Sequence, residues 1–131
     1  MRRPEPISAE VNRVSGEVVS AALAVHKELG PGLLESVYES CICHELTLRQ
    51  VNFRAQVYLP VTYKDLRLDA GLRLDLLVAE SVIVELKSVQ KMEAVFEAQL
   101  LSYLKLTGLR VGLLINFNVP LIKDGISRIV L

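Results

Sequence analysis

Seven consecutive positions near the C-terminal end, Val111-Gly112-Leu113-Leu114-Ile115-Asn116-Phe117, are almost wholly apolar. A run of that length fits a strand inside a sheet, covered on both faces, because a strand with one wet face alternates apolar and polar residues. The rest of the chain must then supply cover. Lys123-Asp124-Gly125 turns it into a last strand, Ile126 to Leu131.

Helical spacing appears twice at the N-terminal end. Ser8 is placed to cap a helix whose apolar positions Val11, Val14, Val18, Ala22, Val25 and Leu29 step by three and four, with Gly30-Pro31 ending it. A second helix starts after Gly32. Its row Glu35, Tyr38, Glu39, Ile42 sets Glu35 beside an aromatic and an aliphatic side chain, an unusual address for a solvating glutamate. A third helix is expected from about Glu93 to Leu106, closed by Thr107-Gly108, with Phe96, Gln99 and Tyr103 along one side.

Between the second and third helices the period changes to two. From Phe53 to Tyr63 odd positions are apolar, a half-buried strand in which Pro60 indicates an edge or a bulge. From Leu66 to Leu76 even positions are apolar, so Asp75 shares a face with Arg67, Asp69, Gly71 and Arg73. From Ser81 to Lys87 alternation groups Ser81, Ile83, Glu85 and Lys87. A hairpin about Ala79-Glu80-Ser81 sets Asp75 opposite Glu85, with Cβ atoms roughly 5 Å apart. Like charges so placed repel unless a raised pKa or a divalent cation relieves them. That is the pattern of a metal-ion hydrolase site, and Lys87 stands beside it. The element order is ααβββαββ.

The 131 residues fit one domain spanning 1–131, and fifteen basic against fifteen acidic residues leave no net field for holding nucleic acid. Any such binding requires a local basic patch. No stretch approaches the roughly 20 apolar residues that cross a bilayer, and no signal-peptide apolar region follows Met1-Arg2-Arg3-Pro4, so the expectation is a soluble cytoplasmic protein without membrane contact. An apolar content of 51% is consistent with a homo-oligomer. Cys41 and Cys43 point about 200° apart on a helix, which makes them buried free thiols and not a zinc or disulfide pair. His26 and His44 read as surface or interface residues and not as ligands.

The stretch Gly32-Leu-Leu-Glu35-Ser-Val-Tyr38, followed in order by Asp75, Glu85-Leu-Lys87 and Gln99-Leu-Leu-Ser-Tyr103, resembles the GxxExxY family of small prokaryotic proteins within the PD-(D/E)XK nuclease-like superfamily. The resemblance implies an α/β restriction-endonuclease-like fold, three layers with a central mixed β-sheet flanked by helices. It implies metal ligation by Asp75, Glu85 and Glu35, and a catalytic role for Lys87. Gln99 and Tyr103 resemble the Gln-x-x-x-Tyr helix motif of the superfamily's exonuclease branch. The activity implied is hydrolysis of nucleic acid, in particular DNA, with Mg²⁺ or Mn²⁺. The competing expectation is a non-enzymatic module that keeps the fold as a nucleic-acid-binding or structural element.

Overall fold

The computed structural model describes residues 5–131, and the opening Met1–Pro4 lies outside the described residues. The order is α1 (Ala9–Leu29), α2 (Glu35–Leu48), β1 (Phe53–Tyr63), β2 (Leu66–Val78), β3 (Val82–Lys87), α3 (Ala94–Thr107), β4 (Val111–Asn116), a single 3₁₀ turn (Ile122–Gly125) and β5 (Ile126–Val130). Ser8 accepts the Val11 N–H at 3.1 Å, the cap its position indicated. Gly30 and Gly108 close α1 and α3 with positive φ of 72° and 75°, conformations in which glycine carries no Cβ penalty. α2 begins three residues after Gly32, because Gly32 at φ 92° and an extended Leu34 carry the chain across before the helix can start.

The strands form one sheet in the order β1-β2-β3-β4-β5, antiparallel except for the parallel pair β3–β4. α3 makes the crossover that a parallel pair requires. α1 and α2 pack on one face of the sheet with Leu76, Val78, Val82, Val84, Leu86, Val111, Leu113 and Ile115. α3 covers the other, with Leu72, Leu74, Leu77, Ile83 and Leu114 facing Leu100 and Leu104. All six residues of β4 are buried, as its composition required.

The hairpin register is the one anticipated: Leu76, Leu77 and Val78 pair with Val84, Ile83 and Val82. β1 is an edge strand, and its register shifts between Leu59 and Val61, around Pro60. At this bulge β2 passes so close that a Cβ on Gly71 would lie 2.5 Å from the Val61 side chain, so only glycine fits there.

Two expectations change. β1 is not apolar on one side throughout: Phe53 packs with the α1/α2 core, whereas Val57, Leu59 and Val61 pack with the α3 core. β2 does the same, with Leu74 on the α3 side and Leu76 on the α1/α2 side. The turnover falls at Gln56, whose φ of 53° is left-handed, and across from it at Asp75. An L-residue in that conformation reverses the direction its successors face, which simple alternation cannot anticipate. The outer half of β2, Leu66 to Gly71, is exposed, because the ribbon runs out past its helical cover.

His26 is not a surface residue. It is buried, with Nε2 2.9 Å from the Val119 carbonyl oxygen and its ring tilted against Phe117. His44 is exposed as expected. Cys41 and Cys43 are free thiols but half-buried, and burial pushes the Cys43 thiol up to about 11.

Candidate functional site

Asp75 and Glu85 lie one position beyond the last β2–β3 pair, where the two strands separate. Their side chains continue the ladder in place of backbone carbonyls. Asp75 Oδ2 accepts the Leu86 N–H at 2.9 Å, and Glu85 Oε1 accepts the Asp75 N–H at 3.3 Å. The Asp75 carboxylate thus lies against the backbone of the neighbouring strand, between the faces. The residues are 4% and 5% exposed, a burial that charged groups tolerate only with compensation. For Glu85 the compensation is a proton: burial first, and the adjacent Asp75 charge second, push its carboxyl up to about 9.

Lys87 is half-buried on the same side of β3 as Glu85, with Nζ 4.6 Å from the centre of the Phe96 ring on α3. The ring face attracts the ammonium, so Phe96 on α3 helps to fix where the Lys87 charge sits. From there its charge lowers the proton affinity of both Glu85 and Glu35. Tyr103, one face of α3 further on, is half-buried, and its phenol is raised by burial and by the negative Glu85 and Asp75. Gln99 is exposed, one helical turn before Tyr103. Arg73 reaches Asp75 from the other side, Nη2 to Oδ1 3.9 Å.

Glu35 is the first residue of α2 and remains exposed, yet partial shielding of its carboxyl and the nearby Asp75 charge raise its proton affinity. Two features fasten the turn that precedes it. Tyr38 donates its hydroxyl to the Gly30 carbonyl at 2.6 Å, accepts the Leu33 N–H at 3.1 Å, and stacks on Phe117 with ring centres 4.4 Å apart. Ser88, the residue after Lys87, donates to the Leu33 carbonyl at 2.7 Å. The Gly32-x-x-Glu35-x-x-Tyr38 spacing thereby acquires a physical account: a glycine for the left-handed step, a tyrosine to fasten the turn, and a glutamate between them at the first position of α2.

One contributor escaped the sequence reading. Asn116, buried at the end of β4 opposite Lys87, accepts the Val89 and Asn118 N–H groups at 3.1 Å each and donates to the Val89 carbonyl at 3.0 Å. It pins the segment that leaves Lys87. Its signal was a lone amide in an otherwise apolar run. A cavity of about 330 Å³ between α1 and α2, lined by residues that include Ser40, Cys41 and His44, lies apart from the acidic pair.

Over residues 12–129 the sequence matches the profile of the PD-(D/E)XK nuclease superfamily. The chain belongs to that superfamily. No curated protein and no solved structure matches it significantly. A PD-(D/E)XK chain with a mixed five-stranded sheet between helices has a restriction-endonuclease-like fold and a nuclease-like character. Nucleases of this superfamily typically use divalent metal ions. The donor set here fits such an ion: two adjacent buried carboxyl groups, oxygen donors only, whose like charges a cation would offset in place of the proton on Glu85. Among the described residues no three His, Cys, Asp or Glu side chains gather closely enough to enclose an ion. An ion at the two carboxylates would take its remaining ligands from water. No helix among the described residues is long and apolar enough to cross a membrane.

Proposed function

We propose that the protein is a divalent-metal-dependent phosphodiesterase acting on DNA, a cytoplasmic nuclease of the GxxExxY branch formed by one domain over residues 1–131. The carrying observation is the pair of carboxylates at the β2–β3 fork, Asp75 and Glu85, buried together with the Glu85 proton held up to about 9. Asp75 and Glu85 would hold Mg²⁺ or Mn²⁺, with Glu35 on α2 acting as the third acid of that shell through one of the waters the ion retains. The bound ion supplies a hydroxide at neutral pH and neutralises phosphate charge.

The chain's own residues do the rest. Asp75 is held in place by its hydrogen bond from the Leu86 N–H, and Glu85 would have to be ionised to ligate a cation. Lys87 keeps a cation on the face of the sheet where the phosphate oxygens gather negative charge, stabilising the transition state more than the bound substrate. Tyr103 and Gln99 line the α3 wall, placed to orient the phosphate by hydrogen bonds. The exposed apolar residues Tyr63, Leu66 and Leu68 at the ribbon's tip support contact with a second copy.

The test is a melting curve with and without Mn²⁺, together with cleavage assays on linear, circular and single-stranded DNA in Mg²⁺ or Mn²⁺. An ion bound to the folded state at 100 times its Kd stabilises by about 2.7 kcal/mol. The parent should melt higher with Mn²⁺ and Asp75→Asn should not; equal shifts in the two proteins remove the metal site. Absence of cleavage on every substrate, with a Mn²⁺ shift that depends on Asp75, moves the conclusion to a non-enzymatic module of the same fold.

A further inference from the structure

The outward half of the β1–β2 ribbon carries a pair of side chains that the hydrolytic site leaves unused. Tyr58 and Arg73 are direct partners across the two strands, so their side chains leave the same face of the ribbon. The turnover at Gln56 decides which face. Val57 and Leu59 pack toward α3, so Tyr58 points to the opposite side, the side of α2. Gln56 itself is tied there, its Nε2 donating to Glu39 Oε1 at 2.6 Å. Tyr58 is 62% exposed and the Arg73 side chain 53%, so neither is spent on the core.

Arg73 is also the cation nearest the acidic pair on this side, 3.9 Å from Asp75. It is two residues outward from Asp75 along the strand, ~7 Å, the scale of one extended nucleotide. A flat ring and a guanidinium stand side by side at one nucleotide's distance from the place where a phosphodiester would be cut. An exposed ring of this kind stacks on any base whose face is free, and in a duplex the faces are already stacked on one another.

We propose that Tyr58 and Arg73 form a subsite for an unpaired nucleotide of single-stranded DNA, the base lying on the Tyr58 ring and its phosphate on Arg73. As a neighbour of the cleavage position it rests on the nuclease reading, while as a binding site it is separately testable. The substrate class it selects is a single strand or a frayed end, not an intact duplex.

The experiment is fluorescence anisotropy with a labelled oligothymidylate and with a blunt duplex of matched length, in Ca²⁺, using the parent, Tyr58→Leu, Tyr58→Phe and Arg73→Gln. Melting temperatures are recorded for each, and the exposure of both positions predicts values close to the parent's. The parent should bind the single strand more tightly than the duplex. Tyr58→Leu should weaken single-strand binding roughly 5- to 100-fold, as loss of one stacked base does, and Tyr58→Phe should restore it. Arg73→Gln should weaken binding and flatten the dependence of log Kd on log salt by about 0.7, the share of one phosphate on a single strand. Unchanged binding by Tyr58→Leu, or a duplex held as tightly as the single strand, overturns the subsite. Cleavage by a parent whose binding ignores Tyr58 keeps the nuclease and discards this site. Tyr58-dependent binding by a parent that cleaves nothing does the reverse, and a parent that binds no oligonucleotide overturns both.

Discussion

β3 and β4 obey strict alternation from end to end: Val82, Val84 and Leu86 with Val111, Leu113 and Ile115 face α1 and α2, while Ile83 and Leu114 face α3. β1 and β2 begin under the same rule and abandon it at Gln56 and Asp75, beyond which each strand's apolar residues change sides. The regular pair gains a fully buried, two-sided core. The irregular pair gives up some of that burial, and at the turnover it frees one carboxylate from both faces and turns Tyr58 and Arg73 outward. The site forms where the two kinds of strand meet, Asp75 coming from the irregular pair and Glu85 and Lys87 from the end of regular β3.

The comparison is sharpened first by asking how much the regular half gives to the site. Lys87 ends β3 and is the test. Lys87→Ala should lower nuclease activity by roughly 10²–10⁴, the range lost when a charge aimed at the transition state is removed, with Mn²⁺ still raising the melting temperature. Activity that survives the substitution points to a contaminating nuclease.

Stability separates the halves next. Leu113→Ala empties a fully buried position in β4 and should cost about 2–5 kcal/mol in urea unfolding, whereas Leu68→Ala, exposed on the outer ribbon, should stay within about 0.5 kcal/mol. Comparable losses at both sites would mean that a partner buries the ribbon.

A metal-free pH titration sharpens the comparison at the fork. Glu85 ionises near 4.5 when unfolded and keeps its proton up to about 9 when folded. Its proton therefore favours the folded state fully below the lower value, and that stability drains away as pH rises through the window to the higher one. Glu85→Gln, neutral throughout, escapes the loss. The two proteins should melt alike near pH 5 and separate by several degrees near pH 8, the parent lower, and Mn²⁺ should close the gap by favouring the ionised carboxylate. Parallel curves would show that Glu85 ionises normally.

The smallest expected effect is Tyr38→Phe. It leaves the Phe117 stack and removes the hydroxyl that joins Gly30 to Leu33, at a cost of about 1 kcal/mol. A fall in activity larger than that free energy explains would show that the turn aims Glu35.

Much of this was open to reading from the residues alone, for identifiable reasons. Ser8, Gly30 and Gly108 mark helix ends through backbone chemistry that is local, and the β2–β3 register follows from one tight turn. The turnover was hidden because alternating apolar residues say that a strand has two faces, not which neighbour covers each, and nothing in the type of Gln56 announces a positive φ. His26 was hidden for a related reason: its partner is the Val119 carbonyl, far along the chain, which no spacing encodes. Asp75, Glu85 and Lys87 stood out because two-residue periodicity brings them together. Tyr58 did not, since it falls at an even position of its strand, on the face that the alternation leaves open, where nothing in the spacing ties it to Asp75.

The hydrogen bond from the Leu86 N–H to the Asp75 carboxylate has an experimental consequence of its own. A backbone carbonyl is a constant acceptor, but a carboxylate oxygen loses electron density whenever a proton or a cation takes its share. The ¹⁵N chemical shift of this single amide, and the rate at which it trades hydrogen for deuterium, therefore follow occupancy of the fork. In a chain without tryptophan, one peptide group is a built-in reporter.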